Sequence, residues 1–201
     1  MILRSTPSSP FVRKVRIAAA VLGLADKIAV QETNLNDAAD SIRVQNPLGK
    51  IPALVLDDGT TYYDSRVILD YLDHLAGGGR IIPRTGPARF EVLRLQALCD
   101  GILDASVLLV YEERYRPADK RVQSWVDRQA DKVARALAAL EAAPPQLTPV
   151  PDVGQITLAC VLGYRDLRFA GSWRKDHPKL VAWLDRFAAQ VPAYDATKPE
   201  A

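Results

Sequence analysis

Cysteine is almost missing from this chain. Two occur among 201 residues, Cys99 and Cys160, and none in the first 98. Two cysteines cannot supply a disulfide framework or a zinc-type ligand spacing. Both lie in apolar, helix-like surroundings. Histidine is equally scarce: His74 and His177 stand too far apart in the pattern to suggest a pair, and His177, directly before Pro178, reads as structural. No apolar run approaches the ~20 residues that cross a bilayer. The opening residues, Met1-Ile2-Leu3-Arg4-Ser5, lack the basic, apolar and small-residue order of a signal peptide. No block of one charge occurs either. The 26 basic and 24 acidic side chains are interspersed and leave a net +2, which gives no reason to expect nucleic acid or an acidic membrane surface. The expectation is a cytoplasmic protein with no metal, no nucleic-acid partner and no membrane partner.

What is present is ordinary for a globular protein: 48% hydrophobic and 25% charged residues, in a length that suits one large domain or two small ones. Residues 1–76 alternate strand and helix signals. Ile2 to Ser5 reads as a short buried strand and Val12 to Leu24 as a helix with Pro10 near its start. Ile28 to Thr33 alternates like a strand, Asp37 to Gln45 is a weak helix, and Ala53 to Asp57 with Thr60 to Tyr63 reads as a hairpin turning at Asp58-Gly59. Ser65 to Leu75 is amphipathic. Three glycines at 77–79 break the chain, and residues 77–87 read as a linker. Residues 88–201 are helical throughout. Helices are predicted over Ala88 to Tyr115, with a possible kink at Gly101, over Ala118 to Ala142, over the apolar Val153 to Phe169, and over Pro178 to Val191. Asp152 and Gln155 have the spacing of a capping box at the head of the third. Trp125, Trp173 and Trp183 read as packing residues. The pattern is a small α/β unit followed by an all-helical one.

The segment Asn46-Pro47-Leu48-Gly49-Lys50-Ile51-Pro52-Ala53-Leu54, with Tyr63-Asp64-Ser65 after it, carries the most chemistry. Pro47 and Gly49 make a turn. Pro52, without an N–H, belongs at a strand start. An Ile-Pro bond adopts cis far more cheaply than a bond without proline, and a cis bond there would turn the Ile51 N–H and C=O outward, free to pair with an extended peptide. Ser65 can cap the helix it opens, and a helix N-terminus attracts anions. Together these suit a small peptide bearing a carboxylate. Ser8-Ser9-Pro10-Phe11 stands between the first strand and the first helix, where a hydroxyl can cap the helix or donate to an anion. Arg13, Lys14 and Arg16 follow; a solvated face is the simpler reading of them, the second domain the other.

These segments resemble the glutathione transferase family, in which an "NPxGKVPxL" stretch holds a cis-proline and an acidic residue or Gln followed by Ser holds the γ-glutamyl end. The Ser-Pro-Phe segment is similar to bacterial members near the zeta and omega classes, and "HPKLVAWLDRFAAQVPAYDATKP" resembles the family's C-terminal pattern. Two departures concern the helical part: Asp152 and Gln155 stand where Ser or Thr and then Asp are usual, and Gln190-Val191-Pro192 where Arg-Pro is usual. The resemblance implies a thioredoxin-like N-terminal domain (1–76) and a C-terminal helical bundle (88–201). It implies glutathione as co-substrate, bound by Ser9, Phe11, Lys50, Ile51, Pro52, Asp64 and Ser65, with Ser9 steadying the thiolate and Ser8 a neighbour. Asp64 and Ser65 would take the γ-glutamyl ammonium and carboxylate, Lys50 the glycyl carboxylate. Tyr111, Arg114 and Tyr115 would line a pocket for a small apolar electrophile, or be core. A homodimer is expected. With no cysteine at the site, a mixed disulfide with glutathione is closed, leaving conjugation, isomerisation or elimination. The alternatives are a non-catalytic binding or regulatory protein on the same fold and a dedicated isomerase or lyase; the Ser9-Pro10-Phe11 sequence, where a zeta-like isomerase has Ser-Ser-Cys, counts against that isomerase.

Overall fold

The computed structural model describes residues 1–199. Its N-terminal unit is a four-stranded sheet with strands β1 (Ile2–Ser5), β2 (Ala29–Glu32), β3 (Ala53–Val55) and β4 (Thr61–Tyr62) in the spatial order β2-β1-β3-β4. β1 runs parallel to β2 and antiparallel to β3, and β3 antiparallel to β4. Helices α1 (Pro10–Val21), α2 (Ile42–Gln45) and α3 (Ser65–Leu75) connect the strands. The order β-α-β-α-β-β-α is thioredoxin-like. The helical unit follows: α4 (Pro87–Tyr115), α5 (Gln123–Ala142), α6 (Val153–Phe169), α7 (Pro178–Gln190) and the short α8 (Ala193–Ala196).

Local chemistry explains most boundaries, including those the sequence pattern placed differently. α1 starts two residues earlier than periodicity suggested, because Pro10 occupies the first helical position and Ser9 caps it. The weak helix over 37–45 shrinks to one turn, Ile42–Gln45. Asp37 and Asp40 spend their carboxylates on the backbone N–H groups of Ala39 and Ile42, local bonds that compete with helix. α4 continues through Gly101 without interruption. The helix expected from Ala118 begins at Gln123, after a single 3-10 turn at Ala118–Lys120.

The predicted capping box is half formed. Asp152 accepts from the Gln155 N–H at 2.9 Å, but the Gln155 side chain turns away, accepting from Thr148 Oγ1 at 2.9 Å and donating to the Gln146 carbonyl at 2.8 Å. It fastens the preceding loop instead of the helix end. The segment read as a linker is packed: Ile81 and Ile82 are buried. The buried Asp73 carboxylate accepts from the N–H groups of Gly79, Arg80 and Ile81 at 2.7–2.9 Å. Ile81 in turn accepts from the Val153 N–H at 3.0 Å, so the connection is fixed to both units.

One core runs through both units. Val12, Val15, Ile17 and Ala18 of α1 pack with Leu3, Leu54, Ile68, Leu69 and Leu72, and the same cluster continues into α4 and α6. α6 is buried at every position from Val153 to Tyr164, as a helix apolar on most of its circumference must be. Cys99 and Cys160 lie inside this core. Burial pushes the Cys160 thiol up to about 11 and the Cys99 thiol higher still, which makes both inert.

Candidate functional site

Strand register brings the separate sequence segments to one end of the sheet. Arg4 of β1 pairs with Ala53 of β3, and Leu54 of β3 with Tyr62 of β4. The C-terminal end of β1, the N-terminal end of β3 and the C-terminal end of β4 therefore share an edge. The Ser8-Ser9 loop, Ile51-Pro52 and Asp64-Ser65 emerge from these ends. α1 and α3 begin there too, so two helix N-termini with free N–H groups face the same space, a ready site for anions.

Ser9 adopts extended backbone angles, and its hydroxyl oxygen accepts from the Val12 N–H at 3.3 Å. It is a helix cap, and a hydroxyl that accepts still has its own proton to donate. Capping and thiolate stabilisation are therefore compatible. At α3 the cap is Asp64, not Ser65: Asp64 Oδ1 accepts from the Arg66 N–H at 2.9 Å. Ser65 is the first helical residue, largely buried, and its hydroxyl makes no hydrogen bond among the described residues. The Ile51-Pro52 bond is cis, as is Tyr63-Asp64. The N–H and C=O of Ile51 have no partner among the described residues. Lys50 is exposed and Phe11 half-buried beside the Lys14 ammonium, which lies 5.8 Å from its ring centre.

The loop carrying Lys50 and Ile51 is held by Asn46 and Arg4, to which the sequence reading assigned no role, about the turn expected at Gly49. Asn46, 2% exposed, donates to the Lys50 carbonyl at 2.8 Å and accepts from the Leu48 N–H at 3.1 Å, while Gly49 turns with φ +59°. Behind it stands Arg4, buried in β1. Its guanidinium donates to Thr33, Ser41, Gln45 and Asp40, the last at 2.6 Å. The backbone N–H groups of Ile42 and Asn34, and then Arg4, hold the Asp40 carboxyl below its ordinary range. The chain of contacts runs from the sheet through α2 to Asn46 and the Ile51 backbone.

The basic residues of α1 correct the sequence reading most clearly. Arg13 and Lys14 do not form a solvated face. Arg13 lies over the Tyr194 ring at 4.2 Å and donates to the Tyr194 carbonyl at 2.7 Å. Lys14, fully buried, donates to Asp100 of α4 at 2.5 Å, and Arg66 of α3 reaches the other oxygen of the same carboxylate at 2.8 Å. Asp100 thus ties the first turns of both site helices to the helical unit. At about 100° per residue, Asp104, Tyr111 and Tyr115 share its face of α4. Burial, then repulsion from Asp100, raises the Asp104 carboxyl; Arg66, Lys14 and Lys50 pull the other way, so Asp104 also belongs to this end. Tyr111 and Tyr115 are exposed, 5.2 Å apart and edge to face, with Arg114 on the flank. They stand about 16 Å and about 22 Å along the helix from Asp100 and are not core. Among the described residues no group of three or more His, Cys, Asp or Glu could hold a metal, and no helix is long and apolar enough to cross a membrane.

Comparison with known proteins agrees with this arrangement. A profile of the glutathione S-transferase N-terminal domain matches residues 3–80, and one of the C-terminal domain matches residues 123–186. An uncharacterized GST-like protein of Escherichia coli K12, YibF, is 32% identical over 196 residues, covering 96% of this chain and 95% of its own length. A glutathione transferase family member from Pseudomonas fluorescens Pf-5, crystallised with bound glutathione, is 45% identical with a TM-score of 0.91, covering 100% of this chain and 99% of that one. A second crystal structure from that source, with bound S-(propanoic acid)-glutathione, gives 44% identity and a TM-score of 0.88 over the full length of both chains. This chain belongs to the glutathione S-transferase family.

Proposed function

We propose that the chain is a glutathione-dependent transferase that adds the glutathione thiolate to a small apolar electrophile. Residues 1–76 form the glutathione-binding domain, residues 77–87 the linker and the rest the helical domain. The observation that carries the reading is the convergence of Ser9, Ile51 and Asp64-Ser65 on one edge, with unspent groups at each: the Ser9 proton, the Ile51 N–H and C=O, and the Ser65 hydroxyl.

The extended tripeptide pairs its cysteinyl backbone with Ile51. Its γ-glutamyl carboxylate lies at Ser65 and the α3 N-terminus, and its ammonium meets the free oxygen of Asp64. Lys50 takes the glycyl carboxylate. The thiol then lies at Ser9 beside the N-terminus of α1, where a donated hydrogen bond and the helix dipole favour the ionised form. The thiol proton leaves to solvent, and the thiolate attacks carbon. In a substitution the new S–C bond forms as the leaving group departs with its electron pair. In an addition to an activated double bond, the carbanion takes a proton from water. Tyr111, Arg114 and Tyr115 line the electrophile's side of the cleft. Glutathione-bound relatives and the thioether ligand of the second one support binding of both the substrate and its S-alkyl product.

We also propose a homodimer, with the thioredoxin-like domain of one subunit against the helical domain of the other. Val67 of α3 and Phe90 and Leu98 of α4 are exposed apolar side chains, and the Asp70–Arg89 pair joins their two helices. Sedimentation at micromolar concentration would show twice the chain mass; a monomer refutes the assignment.

The test of function is calorimetric titration with glutathione followed by turnover of aryl halide and enone electrophiles. Binding at or below millimolar glutathione with turnover supports the reading. Binding without turnover across both classes identifies a glutathione-binding protein instead, and no binding rejects the site.

A further inference from the structure

The helical domain contains a second cavity that the transferase reading leaves unused. It measures about 510 Å³ and lies between the C-terminal half of α4, the stretch of α5 from Gln123 to Leu137, and the end of α6 with the turn that follows. This volume is typical of small-molecule sites. Leu109, Val126, Val133, Leu137, Phe169 and Trp173 give it apolar walls. It is separate from the glutathione end. On α4 the cavity takes Leu109, Glu112 and Glu113, and the helical wheel puts these on the side away from Asp100, Asp104, Tyr111 and Tyr115.

Arg165 stands in this wall. Its guanidinium carbon lies over the Phe169 ring, 3.6 Å from the ring centre. Nε and Nη1 are buried with no hydrogen-bond partner. No carboxylate pairs with Arg165 among the described residues. The other charged groups at the cavity are engaged or peripheral. Glu112 is taken by Arg116 at 2.9 Å and by the Val122 N–H; Arg121 donates to the carbonyls of Arg116 and Glu113; His177 Nδ1 is bonded to the Trp173 carbonyl. Glu113 is exposed at the rim. Two buried N–H donors without an acceptor are costly, and burial pulls the Arg165 pKa down to about 10.

We propose that this cavity is a binding site for an apolar monocarboxylate, with Arg165 as its counter-ion. The carboxylate supplies the acceptor that the guanidinium lacks, and the apolar body fills the space against Phe169 and Trp173. Glu112 and Glu113 at the same site disfavour ligands of higher negative charge, glutathione among them. The ligand's body is planar or flexible; its single negative charge at one end is what the site reads.

The test uses 2-naphthoate as the probe on the full-length protein, in calorimetry with glutathione at saturation. One naphthoate is expected per chain. Arg165→Met weakens it roughly ten- to hundred-fold, the loss expected for a hydrogen bond to a charged group, while binding of the neutral 2-naphthylmethanol and of glutathione is unchanged. Ala134→Phe, at an exposed α5 position lining the cavity, leaves Arg165 in place and abolishes binding by filling the space. This variant decides the question if Arg165→Met does not fold. Equal affinity of naphthoate for the wild type and Arg165→Met, displacement of naphthoate by glutathione, or retained binding in Ala134→Phe overturns the proposal. So does the absence of binding at millimolar naphthoate. None of these outcomes bears on glutathione turnover, which is measured separately.

Discussion

Replacing Asp100 with Asn tests the link between the two domains. Asp100 is 1% exposed and accepts from a fully buried Lys14 and a half-exposed Arg66. Asn keeps the shape but removes the charge, leaving the Lys14 ammonium buried and uncompensated. Breaking a buried pair in this way costs about 3–5 kcal/mol. At 2–4 °C per kcal/mol for a chain of this size, the melting temperature falls by roughly 6–20 °C. Lys14→Met costs less, because Arg66 still neutralises Asp100 and draws support from solvent. In the double variant Lys14→Met/Asp100→Asn, the amide oxygen still accepts from Arg66 and no buried ammonium remains, so stability returns above that of Asp100→Asn alone. The assay is urea and thermal unfolding of all four proteins, read as a double-mutant cycle. Glutathione affinity falls with Asp100→Asn as well, since the first turns of α1 and α3 lose their common anchor. A cost below about 1 kcal/mol for Asp100→Asn, or a double variant as unstable as the sum of the two singles, would refute the reasoning.

Further outcomes are expected elsewhere. Gly101→Ala stabilises α4 by about 0.5–1 kcal/mol, because an added Cβ meets nothing within 4 Å; Gly154→Ala destabilises by roughly 1–3 kcal/mol, because its Cβ would come within 2.8 Å of Leu95. Thermal melts separate the two, and equal signs contradict the packing. Asn46→Ala removes both side-chain bonds of the 46–50 turn, costs roughly 1–3 kcal/mol and weakens glutathione measurably in calorimetry; unchanged affinity would free the turn of any role. At Asp152, burial raises the carboxyl above its usual 3.8, against the pull of the Gln155 and Gly154 N–H groups. The folded protein therefore holds this proton more tightly than the unfolded chain, and the group's contribution to stability is lost as pH rises through the folded pKa. Asp152→Asn removes that slope and keeps the cap, and Asp152→Ala removes the slope too and costs about 1 kcal/mol relative to Asp152→Asn; thermal melts taken upward in pH from the ordinary carboxylate range check both, and a slope in Asp152→Asn equal to the wild type's contradicts the reading.

The fold was legible because its punctuation is local. Pro10, the Asp58-Gly59 turn, the glycines at 77–79 and Pro178 mark element ends by backbone chemistry alone, and the apolar stretch of α6 declares its own burial. The segments that converge at the edge proposed for glutathione were also readable, since turn residues and a strand-initial proline carry their conformation with them. Long-range partners were not. Nothing near Lys14 in sequence names Asp100, which stands 86 residues away, so a charged residue on α1 read as solvated. Arg4 sat in a strand that read as buried, and its four acceptors, like those of Arg13 on α1, come from tertiary contacts. Asp64 displaced Ser65 as the cap because either side chain can serve and only the backbone path decides. Asp104 was hidden in a long helical pattern, where nothing but the direction of one face distinguishes it.

The most direct test of the account is the pH titration of glutathione's thiolate absorbance on the wild-type protein and on Ser9→Gly and Ser9→Ala. Glycine at a cap costs only a few tenths of a kcal/mol, so Ser9→Gly keeps the fold while removing the donor. The account predicts thiolate near neutral pH in the wild type, and in both variants retained glutathione binding with ionisation moved up toward the ordinary thiol range near 8.5. Thiolate at the same pH in all three proteins would show that Ser9 is a helix cap alone and would contradict the proposed mechanism.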